Sequence, residues 1–326
     1  MTKVIVLPGL TLNQVTDDDL DRIRTSGGPA TEVVVCNFTE NPDQTKQEAA
    51  DADVILGIVP PELFAAAPQV KWVQSISSGV DSFMYPEFIN NPVVLTSEKG
   101  LVGEHLADHG FGLLLMLTRQ LASARDLGPA AWHHRPALRA QELELTGATM
   151  VIIGLGGTGR AMARRALAFG MHVVALDRDA VAPMDDVVLH VGADHLPNIL
   201  ALADVVSVCC PLTSETDKLI NASNIAQMKA GAFLINVTRG EVVDEDDVVA
   251  ALKSGHLRGA GLDVAPREPL PADSELWCLN NVVMTPHTAG ASQFRAGRNL
   301  DRFIENLAKF VNNEPLEGVI DKTLGY

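Results

Sequence analysis

The stretch from Thr149 to Asp177 most narrows what this chain can fold into. An apolar run, Thr149 to Ile153, feeds without a break into Gly154-Leu155-Gly156-Gly157-Thr158-Gly159, a G-x-G-x-x-G loop. Met162, Ala163, Ala166, Leu167 and Phe169 then follow at helical spacing. A strand that turns through glycines into a helix opens a βαβ unit. Gly154 permits the tight turn, Gly156 lets backbone N–H groups approach a pyrophosphate, and Gly159 lets the helix pack close on the strand. The helix N-terminus then offers its positive dipole end to that anion. Eighteen residues after Gly159, Asp177 closes the next apolar run, Val173 to Leu176. There a carboxylate takes the ribose diol of a dinucleotide and repels a 2′-phosphate, so NAD is expected over NADP. Arg178, one position on, leaves NADP open.

The rest of the chain repeats the alternation of short apolar runs with helical stretches. Strands are expected at Val4–Leu7, Val33–Cys36, Val54–Ile58 and Trp72–Ile76, with a helix at Thr45–Ala52. A long helical period runs from Gly103 to about Ser123, and a Gly/Pro/His-rich stretch, 128–136, follows it. The second strand series reads Thr149–Ile153, Val173–Asp177, weakly His190–Val191, Val205–Cys209, Ala232–Asn236, Gly259–Asp263 and Val282–Met284. A closing amphipathic helix is expected over Ala291–Asn312. This is the pattern of an α/β chain with parallel sheets, and 326 residues suffice for two domains.

Composition excludes several classes. With 47% apolar residues the chain can bury a core, and with 41 acidic against 25 basic residues its net charge of −16 repels nucleic acid. Cys36, Cys209, Cys210 and Cys278 lack C-x-x-C spacing, which suits reduced thiols. The opening apolar run is too short for a signal peptide and no segment is long enough to span a bilayer, so a cytoplasmic protein without a membrane partner is expected.

Three polar residues follow three of the later strand ends: Arg239 after Leu234–Thr238, Glu268 after Gly261–Arg267, and His287 after Val282–Met284. In open parallel sheets ligands bind outside the carboxyl ends of the strands, so such groups can converge. The set suits hydride exchange at a carbonyl carbon. His287 is the natural general acid, Glu268 a carboxylate to orient it, and Arg239 a planar fork for a substrate carboxylate or the reacting oxygen.

In order and spacing, GLGGTG, Cys210-Pro211-Leu212-Thr213-Ser214-Glu215-Thr216, Asn236 to Asp244, Gly261-Leu262-Asp263-Val264 and Thr285-Pro286-His287 resemble the signatures of the D-isomer-specific 2-hydroxyacid dehydrogenases. The resemblance runs from about Val73 to the C-terminal helix. It implies an NAD(P)-dependent enzyme acting on a 2-oxoacid or D-2-hydroxyacid, working mainly as a 2-oxoacid reductase, with Arg239, Glu268 and His287 catalytic. Substrate contacts are implied for Arg239, His287 and the backbone N–H groups of Ser78 and Gly79. Cofactor contacts are implied for Gly154, Gly156, Gly157, Thr158 and Gly159, and for Asp177 and Arg178. Further along they extend to Cys210, Pro211 and Thr216, to Val237 and Thr238, and to His287 and Gly290, with Asp263 on the nicotinamide carboxamide. No metal is implied.

The family architecture further implies two Rossmann-like or flavodoxin-like domains. A nucleotide-binding domain, residues 99–290, would be inserted into a discontinuous substrate-binding domain, residues 1–98 plus 291–326. It also implies a homodimer through the inserted domain, by the long helix and the arm from Gly128 to Leu143. The chain departs from the family at Cys209, where His is frequent, at Gly157-Thr158, where a larger residue and Ile are common, and at Asp108, where the family has Glu. The first departure removes a side chain from the expected site, and the second loosens the phosphate turn.

Two other readings compete. His105 and His109, four apart, share a helix face that could ligate zinc, but a third ligand is missing from the pattern. A non-catalytic NAD(H)-sensing scaffold of the same fold is the alternative, and the intact Arg239/Glu268/His287 set argues against it. Val59-Pro60-Pro61 and Phe83-Met84-Tyr85 are too apolar for a phosphate pocket, which disfavours phosphoglycerate.

Overall fold

The computed structural model describes every residue from Met1 to Tyr326, and the chain divides into two compact units. The first joins Met1–Val102 to Ala291–Tyr326, and the second is Gly103–Gly290. Both are built on wholly parallel sheets, as the alternating runs predict.

In the first unit the order is β1 (Thr2–Val6), α1 (Asp17–Gly27), β2 (Thr31–Val35), α2 (Pro42–Ala49), β3 (Val54–Leu56), α3 (Pro61–Ala65), β4 (Trp72–Gln74), α4 (Pro86–Ile89) and β5 (Val94–Thr96). The sheet runs β2-β1-β3-β4-β5, the flavodoxin-like order, with its topological switch between β1 and β3.

The second unit continues with α5 (Gly103–Thr118), α6 (Leu121–Leu127), α7 (Ala131–Gln141), β6 (Thr149–Ile153), α8 (Gly157–Ala168), β7 (His172–Asp177), β8 (Val187–Val191), α9 (Leu196–Leu200) and β9 (Val205–Val208). It ends with α10 (Ala222–Ile225), β10 (Ala232–Asn236), α11 (Glu245–Ser254), β11 (Leu257–Leu262) and β12 (Val282–Met284). Its sheet, β12-β11-β10-β9-β6-β7-β8, contains the Rossmann order, and the switch falls between β6 and β9. Alternate residues of β6 enter different cores: Val151 and Ile153 pack on one face, Met150 and Ile152 on the other. A strand buried on both faces reads as a nearly continuous apolar run, which is why these runs were readable.

The closing helix, α12 (Arg295–Val311), belongs to the first unit. Phe303 stacks on Trp72 at 5.1 Å, and a buried polar seam accompanies the stacking. Gln74 donates to the Asn299 carbonyl and accepts from Thr96 and Asn306, while Trp72 donates to Thr96. Paired in this way, the buried Gln74 and Asn306 amides avoid the cost of unmet hydrogen bonds and hold α12 in one register on the sheet.

Several expected elements differ. The helix expected through Ser123 stops at Thr118, because Gln120 adopts a left-handed conformation (φ 54°) that no helix interior accommodates. The Gly/Pro/His-rich stretch is helical, α7 carrying Pro136 within it and costing that turn one backbone hydrogen bond. The closing helix begins at Arg295, not Ala291. His190–Val191 is the end of a five-residue edge strand, and β5 escaped notice as too short a run.

Candidate active site

At the exit of β6, Gly154 has φ 96°, and a Cβ there would lie 2.8 Å from the Cys210 backbone nitrogen. A Cβ on Gly159 would fall 2.0 Å from the Gly154 carbonyl oxygen. Only glycine meets both conditions, so the turn and the close approach of α8 to β6 are written into the sequence. Gly156 precedes α8, and a Cβ there would meet nothing within 4 Å. The turn is therefore closed toward the sheet and open at the helix N-terminus, a cradle that fits the diphosphate of a dinucleotide.

Asp177, ending β7, is tied to this turn. One carboxylate oxygen accepts from the Leu155 N–H at 2.8 Å and the other from the Asp179 N–H at 3.2 Å. The Arg178 guanidinium donates to Asp179 at 2.8 Å and lies 3.7 Å from Glu215. In the loop after β9, Thr216 donates its hydroxyl to the Pro211 carbonyl at 2.7 Å and accepts from the Thr213 N–H at 2.8 Å. Cys209 and Cys210 are buried, and burial pushes both thiols up to about 12. They behave as small apolar residues with no thiolate character.

Fully buried Asn236, the last residue of β10, shapes the next loop. Its amide donates to the Arg239 carbonyl at 2.8 Å and accepts from the Thr238 N–H at 3.1 Å. The Arg239 guanidinium donates to the Thr238 carbonyl at 2.7 Å. Val237 is buried beside them.

The loops after β11 and β12 meet. Glu268 accepts from the Ala265 N–H at 3.1 Å with one oxygen, and its other oxygen lies 2.7 Å from His287 Nδ1. Their side chains are 39% and 47% exposed, so this pair is open to solvent. With the Nδ1 proton donated to the carboxylate, Nε2 is the ring nitrogen left for proton exchange. His287 itself sits at φ 53°, a conformation uncommon for a side-chain-bearing residue, and its N–H donates to the Asp263 carbonyl at 2.7 Å.

Buried Asp263 organises this corner. Its carboxylate accepts from the Thr285 hydroxyl at 2.6 Å, the Thr288 N–H at 2.9 Å and the Ala289 N–H at 2.8 Å. Gly290 follows immediately. Behind Thr285 stands His109 of α5, with Nε2 2.7 Å from the Thr285 hydroxyl. Sequence reasoning did not place His109 or Thr285 at the site. The available signals were the His105/His109 spacing, which suggested zinc, and the family signatures at Thr285-Pro286-His287 and beside Asp108, which assign neither residue a role. His105 is instead buried, and no group of three His, Cys, Asp or Glu side chains is arranged to hold a metal ion.

Ser78 and Gly79 lie in the loop after β4 of the first unit. That loop is shaped by the Ser77 hydroxyl, which donates to the Gly79 carbonyl at 2.6 Å, and by the Ser77 N–H, which donates to the Ser75 hydroxyl at 3.0 Å.

A doubly wound sheet with a glycine cradle at its switch point, an acid on the neighbouring strand and a Glu–His pair on the loops after β11 and β12 defines a class of nicotinamide-dependent oxidoreductases. Comparison with known proteins narrows this. Residues 111–289 match the family model described as D-isomer specific 2-hydroxyacid dehydrogenase, NAD binding domain. The chain is 33% identical over 279 residues to a glyoxylate reductase of Korarchaeum cryptofilum, covering 82% of each. The structure is similar to a D-isomer specific 2-hydroxyacid dehydrogenase from Xanthobacter autotrophicus Py2 solved with NADPH, at TM-score 0.82 and 27% identity over all of both chains. A glyoxylate/hydroxypyruvate reductase from Sinorhizobium meliloti, solved with NADP, matches at TM-score 0.79 and 27% identity, again over all of both chains.

The chain belongs to the D-isomer-specific 2-hydroxyacid dehydrogenases. It is an oxidoreductase that moves a hydride between a nicotinamide cofactor and the 2-oxoacid/D-2-hydroxyacid pair for which the family is named. The matched relatives are named for catalysis, which sets the sensing scaffold aside.

Proposed function

We propose that this enzyme reduces a small, unphosphorylated 2-oxoacid with NADH, with His287 as proton donor. The observation that carries the reading is the 2.7 Å contact of His287 Nδ1 with Glu268, which commits the imidazole's other nitrogen to proton exchange. Bound nicotinamide supplies the hydride. His287 gives its proton to the carbonyl oxygen as that oxygen gains charge, and Glu268 holds the ring and offsets the charge of its imidazolium form. Arg239 and the N–H groups of Ser78 and Gly79 are assigned to the substrate carboxylate, which suits the planar fork of the one and the paired donors of the others. Asp263 is assigned to the carboxamide, with Val237, Thr238 and Gly290 beside the nicotinamide. Gly154, Gly156, Gly157, Thr158 and Gly159 are assigned to the pyrophosphate, and Cys210, Pro211 and Thr216 to the adenosine side. The substrate-binding part is assigned to residues 1–98 with 291–326, and the nucleotide-binding part to 99–290.

Asp177 and the engagement of Arg178 by Asp179 and Glu215 support NADH over NADPH, although both solved relatives described above hold the phosphorylated cofactor. Glyoxylate is the first substrate to test, because several relatives are named as glyoxylate reductases. Trp132, 80% exposed on α7, and Leu121, 53% exposed on α6, support a homodimer through this face. Four free cysteines suit a reducing cytoplasm, and no helix is long and apolar enough to cross a membrane.

The test is the fall in absorbance at 340 nm with NADH or NADPH against a panel from glyoxylate to phenylpyruvate. Turnover with NADH is expected. Because the reduction consumes a proton that His287 delivers, raising the pH slows reduction and speeds oxidation of the hydroxyacid. A pH-independent reduction rate would remove His287 from the mechanism.

A further inference from the structure

His109 lies outside every role assigned above, yet it stands behind the loop that carries His287. The direction of the hydrogen bonds can be read from their acceptors. The Asp263 carboxylate already takes the Thr288 and Ala289 N–H groups, and the Thr285 hydroxyl lies 2.6 Å from it. Thr285 therefore donates to Asp263, and its oxygen is free to accept from His109 Nε2 at 2.7 Å. His109 Nε2 is itself 3.5 Å from the nearer Asp263 oxygen. The result is a chain, His109 N–H to Thr285 O–H to Asp263, in which each bond polarises the next.

This chain matters because of what it brackets. Thr285, Thr288 and Ala289 flank His287 on both sides, and the His287 N–H is held by the Asp263 carbonyl. His287 keeps a left-handed backbone at φ 53°, which persists in a side-chain-bearing residue only when its surroundings over-determine it. Asp263 supplies that constraint from β11, and His109 is the one member that comes from a separate helix. We infer that His109 is a positioning residue: its Nε2 proton fixes the Thr285 hydroxyl on Asp263 and so sets where His287 presents its ring. The inference rests on the assignment of His287 as proton donor.

Four variants test it. His109→Ala removes the donor, whereas His109→Gln keeps an N–H at similar reach. Thr285→Val cuts the chain and Thr285→Ser preserves it. At saturating NADH, His109→Ala and Thr285→Val are each expected to lower kcat by about 10–100-fold, as misplacement of a reacting group by about 1 Å does, with the 2-oxoacid KM changing less than about threefold. His109→Gln and Thr285→Ser stay within about threefold of the parent. The double variant His109→Ala/Thr285→Val loses no more than either single change, because both break one chain. Without cofactor, amide exchange at Thr288 and Ala289 quickens in His109→Ala and is restored in His109→Gln.

Parent-like kcat in His109→Ala, or equal losses in His109→Ala and His109→Gln, would overturn the inference. Should His109→Ala not fold, the Thr285→Ser and Thr285→Val pair decides by the same criterion. His287→Ala is the control on the underlying assignment. If it turns over normally the proton-donor reading fails, whereas an inactive His287→Ala beside an unaffected His109→Ala removes only the role of His109.

Discussion

Two pairs of a glutamate with a basic side chain, Glu98–Arg295 in the first unit and Glu268–His287 in the second, do opposite work. In the first unit Glu98, 1% exposed, accepts from Arg295 Nε at 3.0 Å at the start of α12. In the second, Glu268 meets His287 at 2.7 Å with both side chains near half-exposed. Burial decides the difference. A buried charge is tolerable only with its partner, so Glu98 and Arg295 act as a clasp whose halves depend on each other. Burial drives the Glu98 carboxyl upward and Arg295 opposes that drive. An exposed pair contributes little stability, because water and salt compete for both charges, but it leaves the histidine able to exchange protons with a substrate.

The sharpest way to break this contrast is at His287. His287→Ala is expected to lower kcat by about 10²–10⁴-fold, the range for loss of a general acid, and to change unfolding free energy by no more than about 0.5 kcal/mol. Glu268→Gln follows the same pattern with a kcat loss of about 10²-fold. The converse is Arg295→Met, which strands the Glu98 carboxylate and is expected to cost about 3–5 kcal/mol in urea unfolding. Per folded molecule, its kcat should stay within about twofold of the parent. Equal stability losses in the Arg295 and His287 variants would undo the comparison.

A smaller effect tests the exposed ion pairs around Arg178. Asp179→Asn with Glu215→Gln releases the guanidinium and is expected to raise kcat/KM for NADPH by a few-fold, since exposed pairs carry about 0–1 kcal/mol. Unchanged NADPH kinetics would mean that Asp177 alone excludes the phosphate. The smallest effect concerns thiols. Cys209 and Cys210, pushed up to about 12, stay protonated at pH 8, so native protein should be alkylated by iodoacetamide at exposed Cys278 only and denatured protein at all four cysteines. Rapid native labelling at Cys209 would contradict its burial.

How much of this was legible in the sequence depended on whether a feature is local. The β6 turn was readable because Gly154 and Gly159 answer to a positive φ and to a backbone contact that admit no other residue. The parallel α/β class was readable because β6, β9 and β10 are buried on both faces and so are apolar at most positions. The break at Gln120 was not, since a left-handed residue interrupts the helix without a glycine or proline to announce it. Nor was the helical state of α7, where Pro136 argued for a loop and the surrounding residues prevailed.

The remaining features join positions far apart in the chain. His109 and Thr285 are 176 residues apart and Glu98 and Arg295 are 197 apart, so no spacing rule connects them. The residue types at Arg239, Glu268 and His287 could be named for their chemistry, but which histidine nitrogen faces a carboxylate is a property of two loops meeting after β11 and β12. By itself the sequence determined the two parallel sheets and the glycine cradle, because strand burial and backbone sterics act on neighbours along the chain. The tertiary structure alone decided the Asp263 corner, the His109 support behind it and the buried Glu98–Arg295 clasp. Those depend on directed hydrogen bonds and on exclusion of water, and both arise only once distant segments are packed together.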